Sequence, residues 1–219
     1  MNRMNHRCSA SVAIALTLAA LLVWPTAALA QLGGLLPPPP TSGTSTSTVT
    51  GQATAAQVTV FGLLGTATTT TLGSTGISTT NAESDVGQAT GSIPSLFGAD
   101  VLNAATYSYS NEVDSTASLA NLGLTVAGIT ISADSVVSQA SQVLGAAGSG
   151  SSYITNLAID GVPVSITGAP NQTIGIPGGQ LTINEQTISS IGSAVINVVH
   201  VVVNGVADVV LASATAGIS

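Results

Sequence analysis

The sequence predicts an all-β fold, an antiparallel β-sandwich-like domain, with β-solenoid-like stacking as the alternative. Three observations support this prediction. The segments AATYSYS (104–110) and LGLTVAGITIS (122–132) alternate between apolar and polar residues, as half-buried strands do. Asp160-Gly161 and Asn204-Gly205 each separate two β-branched runs, which is typical of hairpins. Ser and Thr recur throughout the chain after Ala30, and β-branched Thr suits the solvent face of a strand.

The chain begins with the pattern of a secretory signal peptide, over residues 1–30. Arg3 and Arg7 form a basic start, residues 12–23 are apolar, and Ala28-Leu29-Ala30 provides small residues for cleavage before Gln31. The apolar run is shorter than the ~20 residues that a membrane-spanning helix needs. We therefore expect an exported protein that is secreted or associated with the cell surface.

Residues 31–50 predict a tether, and residues 51–219 a single all-β domain. The tether contains four consecutive prolines, which favour an extended conformation, followed by a Thr/Ser/Gly run that cannot build a core. The domain that follows contains only five aromatic residues, so its core is expected to consist mainly of Val, Ile, Leu and Ala.

The charge of the chain after Ala30 limits its partners. Arg3 and Arg7 are the only basic residues, so nine carboxylates give the chain after Ala30 a formal side-chain charge of −9. Without Lys or Arg the domain cannot neutralise phosphates, which excludes nucleic acid as a partner. Cell-envelope components or glycans are the partners that we expect. The only cysteine, Cys8, lies in the leader, so the domain forms no disulfide.

Further strands are predicted along the chain. Residues 58–61 alternate, and residues 66–72 continue as a Thr-rich strand. Residues 134–147 fit either a helix capped by Asp134 or a strand rich in β-branched residues. The neighbouring strands favour the second interpretation.

The segment from Gly168 to Gln186, GAPNQTIGIPGGQLTINEQ, is dense in Pro, Gly and amide residues. We interpret these residues as chain reversals between short strands, each chosen for its backbone geometry. The predicted structural motif comprises Asp160, Gly161, Pro170, Asn171, Gln172, Pro177, Gly178, Asn184, Glu185, Gln186, His200, Asn204 and Gly205.

His200 is the only histidine after the leader, and its position depends on the hairpin at Asn204-Gly205. A two-residue turn pairs Val203 with Val206, and His200 with Val209. His200 then faces the core, where its ring nitrogens need buried partners. The face that it shares contains Val198, Val202, Ala207 and Leu211, whereas Asp208 faces away, opposite Val201.

The residue types argue against an enzyme. The sequence contains no G-x-S-x-G motif, and a single histidine provides little support for nucleophilic catalysis. No cofactor is expected. Calcium is the most plausible metal ion because oxygen ligands abound, although the EF-hand pattern is missing. The pairs Glu83/Asp85 and Glu112/Asp114 are interpreted as solvated acids rather than as glycosidase carboxylates.

Tyr107 and Tyr109 are the candidate ligand-binding residues. On a strand they share one face about 7 Å apart, a spacing that suits sugar rings or an aliphatic partner. Cross-strand packing is the competing explanation for the same pair.

Three phrases in the last third, SSYITNLAIDG, APNQTI and INEQ, together with an N-x-x-H-V strand, resemble the bacterial choice-of-anchor P family. The resemblance covers roughly residues 150–218. It implies a signal peptide, a β-rich domain and a secreted or surface-associated role in which the anchor varies between members. It implies no catalytic activity.

Acidification is expected to promote self-association. Carboxylates that have no counter-charges repel one another at neutral pH, which limits association. Open sheet edges are commonly protected by lysine, and this domain contains none. Association toward pH 4, without prior unfolding, is therefore expected.

Overall fold

The structure, a computed structural model, describes residues 47–62, 64–79 and 81–219. The predicted signal peptide and the predicted tether up to residue 46 lie outside the described residues. The described residues contain thirteen strands: β1 (Val49–Phe61), β2 (Ala67–Ser74), β3 (Ala82–Ile93), β4 (Phe97–Ser108), β5 (Glu112–Val126), β6 (Ile129–Val143), β7 (Ser149–Thr155), β8 (Ala158–Ile159), β9 (Val162–Pro163), β10 (Gln172–Ile176), β11 (Gly179–Ile188), β12 (Ser193–Val203) and β13 (Ala207–Ile218).

The strands form two antiparallel sheets, as an all-β sandwich requires. In sheet A the order is β10-β11-β12-β13-β1-β2, so β1 lies between β13 and β2. In sheet B the order is β3-β4-β5-β6-β8-β9, and β7 also pairs with β6. The central strands of the two sheets face each other across a shared core. The predicted all-β class is confirmed, with the sandwich rather than the solenoid arrangement.

Most predicted strands are present, but residues 122–132 are not one strand. Ala127 and Gly128 adopt positive φ angles of 51° and 81° and form a two-residue turn between β5 and β6. A type I′ hairpin requires two left-handed residues, and Asn, Asp or Gly usually takes the first position. With alanine there, the sequence does not indicate the turn. The ambiguous segment 134–147 is strand up to Val143 and then a turn.

One predicted hairpin turn has the expected two residues, and another turn lies inside the segment that was predicted to contain chain reversals. At Asp160-Gly161 both φ angles are positive, and Ile159 pairs with Val162. The strands beside this turn have only two residues each. Pro177-Gly178 joins β10 to β11, with Gly178 at φ 76°, so proline fixes the first turn residue and glycine supplies the left-handed second one.

The turn at Asn204-Gly205 differs from the prediction by one residue. Val203 pairs with Ala207 rather than Val206, so the loop has three residues. Val206 donates its backbone N–H to the Val203 carbonyl at 3.0 Å, with Gly205 left-handed at φ 70°. A shift of one residue moves every side chain of a strand to the opposite face relative to its partner. The predicted partners of His200 are therefore wrong.

Sheet A contains a row of neighbouring positions, one on each of several strands, at which the alternation of buried and exposed side chains is interrupted. Gly73, Asn184 and Ala212 have positive φ angles of 56°, 53° and 48°. Each lies at a gap in the register of its strand pairs. Consecutive residues beside this row are both buried, as in Val198-Val199 and Leu211-Ala212. The row therefore changes which residues face solvent along a single strand.

The core is aliphatic and includes a group of buried hydroxyls. The larger apolar cluster contains Leu102, Leu124 and Leu211, and a smaller one contains Ile196 and Ile218. Thr106, Ser115 and Ser138 are fully or almost fully buried. The Thr106 and Ser115 hydroxyl oxygens lie 3.3 Å apart, and Ser138 donates to the Ala117 carbonyl at 3.4 Å. Burial of these hydroxyls is tolerated because each finds a partner.

Candidate functional site

His200 lies on the outer face of sheet A, not in the core as predicted. Its Cα partners are Thr182 on β11 and Val210 on β13, and its side chain is 22% exposed. Val201 and Val203 take the core positions on the same strand. The three-residue loop causes this change of face and places Asp208 on the same side as His200.

The histidine bridges two carboxylates from the neighbouring strands. Its Nδ1 lies 3.0 Å from Glu185 Oε2, and its Nε2 lies 3.0 Å from Asp208 Oδ1. Asn197 donates its Nδ2 to the same Glu185 oxygen at 2.7 Å. The carboxylate side chains are 32% and 43% exposed, so water reaches both. We call Glu185, Asn197, His200 and Asp208 the histidine bridge.

The bridge is best explained as a link between three strands. The imidazolium form supplies one N–H donor to each carboxylate, which the neutral ring cannot do. Bonds between charged partners are stronger than neutral ones, although water and salt weaken them at the surface. While both ring nitrogens hold carboxylates, neither is available to activate a serine.

Replacing His200 with alanine should lower the free energy of unfolding by about 1 to 2 kcal/mol, because the contacts of its ring with Glu185 and Asp208 are lost. Urea unfolding followed by circular dichroism measures this change. Gln57→Ala is the control, since Gln57 is exposed on β1 and pairs with Val210, which also pairs with His200. It should change the stability by less than about 0.5 kcal/mol. Equal effects of the two variants would show that the bridge contributes nothing.

The amide residues of the predicted motif hold the irregular segment before β10. Asn184 Oδ1 accepts hydrogen bonds from Ser152 Oγ at 2.7 Å and from Gln186 Nε2 at 2.6 Å. Asn171 Oδ1 accepts from the Gln186 backbone N–H at 2.9 Å. Gln172 Nε2 donates to the Ser165 carbonyl at 2.8 Å. Asn171 and Asn184 are both left-handed, at φ 59° and 53°. The bonds of Asn171 and Gln172 therefore anchor the segment before β10, whereas the bond from Ser152 to Asn184 joins β7 to β11.

Pro170, the remaining residue of the predicted motif in this segment, is a turn residue. It is exposed in the turn immediately before β10. The interpretation of the amides as turn residues was incomplete, because Asn184, Glu185 and Gln186 lie inside β11 and use their side chains to join neighbouring segments.

Tyr107 lies on the outer face of sheet B between two carboxylates. Its Cα partners are Glu83 on β3 and Asp114 on β5. Tyr109 follows just after the end of β4 and is 52% exposed. Asp85 lies on β3 with Glu83, and Glu112 lies on β5 with Asp114. Tyr107 and these four carboxylates form what we call the acidic tyrosine face.

The carboxylates of this face differ from the others. None of the four forms a hydrogen bond through its side chain to another described residue, whereas the remaining five carboxylates each form at least one. A shallow groove of about 440 Å³ begins at Asp114 and extends over β6 and β7. Its lining includes Thr116, Gln139, Ser141 and Ser151. Hydroxyl, amide and carboxylate groups of this kind can form hydrogen bonds with a polar ligand.

Within the described residues, no group of three or more His, Cys, Asp or Glu side chains is arranged to hold a metal ion. The two nitrogens of His200 contact different carboxylates, Glu185 and Asp208.

Sequence reasoning missed Glu185, Asn197 and Asp208 as partners of His200. A three-residue loop at Asn204 would have placed Asp208 on the face of His200. The pairing with Glu185 also depends on the register of β11 against β12 and on the left-handed Asn184, which the residues alone do not specify.

No family model, curated protein or solved structure matches this chain. In the part of the chain that the structure describes, no helix has the length and apolar character needed to cross a bilayer.

Proposed function

We propose that this chain is exported and acts at the cell surface or outside the cell as a non-enzymatic structural or adhesive β domain. The observation that best supports the proposal is the histidine bridge. It uses the only imidazole of residues 47–219 to join strands rather than to activate a nucleophile. The leader-like pattern of residues 1–30 and the resemblance to choice-of-anchor P proteins support export.

The composition of the outer faces is compatible with this role. Thr59, Thr69 and Thr71 lie in neighbouring positions on β1 and β2, and Thr59 and Thr69 share a hydrogen bond of 2.9 Å. Cross-strand threonine pairs stabilise a sheet without requiring charge. A surface of neutral hydroxyls and unbalanced carboxylates favours neutral or cationic partners in the cell envelope over anionic ones.

A second candidate is a carbohydrate-binding or carbohydrate-cleaving exoprotein that uses Tyr107 and Tyr109. The acidic tyrosine face favours this alternative, because a partly exposed tyrosine lies between Glu83 and Asp114 beside a polar groove. The backbones of β3 and β5 are two strand spacings apart, roughly 10 Å. Side chains that converge from this distance reach the separation used by inverting glycosidases.

A glycan array together with a panel of chromogenic glycosides separates the two candidates. The structural proposal expects no hydrolysis of any glycoside. Hydrolysis that is lost in Glu112→Gln would contradict the structural proposal, and Thr59→Ser serves as a control outside the acidic tyrosine face. Glycan binding without hydrolysis that is lost in Tyr107→Ala would support an adhesive role directed at sugars.

A further inference from the structure

The longest free edge of the fold is β3. It forms one border of sheet B and, among the residues that the structure describes, pairs only with β4. Its twelve residues exceed the eight of β2 and the five of β10, which border sheet A. Its outward backbone N–H and C=O groups are therefore a template for another strand.

Few features protect this edge. Free edges are commonly blocked by lysine, proline, inward-pointing charges or β-bulges. The ladder of β3 with β4 has one interruption, at Ala89 opposite the left-handed Val101, and it keeps the same register on both sides. The sequence of β3, AESDVGQATGSI, contains no lysine and no proline. Its only charged residues, Glu83 and Asp85, lie in the first half. The remainder, from Val86 to Ile93, is uncharged and mostly exposed.

We propose that β3 is an assembly strand and that its partner is β3 of a second copy of this chain, paired antiparallel about a two-fold axis. Pairing centred on Gln88 places Glu83 opposite Ile93 of the other copy and Asp85 opposite Gly91. The carboxylates of the two copies then do not meet, and each faces an uncharged residue. An isologous contact of this kind closes as a dimer because each edge is used once.

The proposed contact depends on the ionisation of its acids. Ionised Glu83 and Asp85 would lose water along the new strand pair without gaining a cation, which opposes pairing at neutral pH. The titratable groups that face β3 from β4 are Tyr107, beside Glu83, and Asp100, beside Thr90. Asp114 lies one strand further from β3, on β5. Strand β2, which packs near β3, contains no titratable residue. Acidification neutralises carboxylates, so the dimer should form toward pH 4.

Size-exclusion chromatography with light scattering tests the proposal on the chain purified after export from a bacterial host. The mass of the wild type should double between pH 7 and pH 4 with unchanged far-UV circular dichroism. Gln88→Lys should stay monomeric at both values, because two lysines would face each other across the axis. Thr70→Lys adds the same charge to the other nearby edge, β2, and should behave like the wild type.

A second pair of variants tests the role of the acids without acidification. Glu83→Gln/Asp85→Asn should double in mass at pH 7. Glu112→Gln/Asp114→Asn removes the same charge from β5, an internal strand, and should stay monomeric at pH 7. The proposal is overturned if the wild type stays monomeric at pH 4, if Thr70→Lys blocks association instead of Gln88→Lys, or if both double variants behave alike.

Discussion

Trypsin should leave the exported chain intact, even after the chain has been unfolded in urea. Trypsin cleaves after Lys and Arg, and the only such residues are Arg3 and Arg7, both within the predicted leader. The resistance is therefore chemical and does not depend on folding. Mass spectrometry after prolonged digestion should detect a single species with its mass unchanged.

Two controls confirm that the unfolded chain is accessible. A protease that cleaves after Glu should cut the same sample at Glu83, Glu112 and Glu185. The variant Gln57→Lys should yield two tryptic fragments in urea. Tryptic fragments of the unaltered chain would contradict the predicted boundary of the leader or the assignment of its basic residues.

Replacing Gly179 with alanine should destabilise the domain by about 3 kcal/mol, at the upper end of what overpacking usually costs. Gly179 begins β11, and a Cβ atom there would collide with the carbonyl oxygen of Val202 on β12. The backbone of a paired strand cannot rotate away as a side chain can. The collision should therefore weaken the β11–β12 pairing on which the Glu185–His200 contact depends.

Gly175→Ala is the matched control on the adjacent strand. A Cβ atom at Gly175 meets no atom within 4 Å, and its φ is not in the left-handed range. Its effect should stay within about 1 kcal/mol. Urea unfolding of the two variants measures the difference, and equal stabilities would show that β11 and β12 do not approach as closely as described.

Local patterns were sufficient to predict the fold class. Alternating β-branched runs and the pairs Asp160-Gly161 and Pro177-Gly178 identify strands and turns, because these residues restrict their own backbone. The turn at Ala127-Gly128 was missed, since alanine rarely adopts a left-handed conformation. Its geometry is imposed by the pairing of β5 with β6 rather than by the local sequence.

The candidate site was harder to predict because it depends on register. One extra loop residue at Val206 moves His200 from the core to the surface. The left-handed Asn184 and Ala212 then shift the alternation again within β11 and β13. Sequence periodicity cannot reveal such slips, since each depends on hydrogen bonding across several strands at once.

The histidine bridge has a larger effect on the interactions between carboxylates in this domain than it would have in a domain that also contains Lys and Arg. Nine carboxylates follow Ala30, and the one histidine among the described residues contacts two of them. Its ring therefore holds together two carboxylates, Glu185 and Asp208, that flank the same strand of sheet A and repel each other. Sheet B retains four carboxylates without side-chain partners among the described residues, all of them on the acidic tyrosine face.

If the chain works outside the cytoplasm as we propose, a bacterial host should export it and remove its leader, which the location and first residue of the expressed protein reveal. The chain is expressed with its own leader in a bacterial host, the cells are fractionated, and the protein is sequenced from its amino terminus. We expect a chain that begins at Gln31 and is found beyond the cytoplasmic membrane, in the medium or on the cell surface. An unprocessed chain that begins at Met1 and stays in the cytoplasm would contradict the proposal.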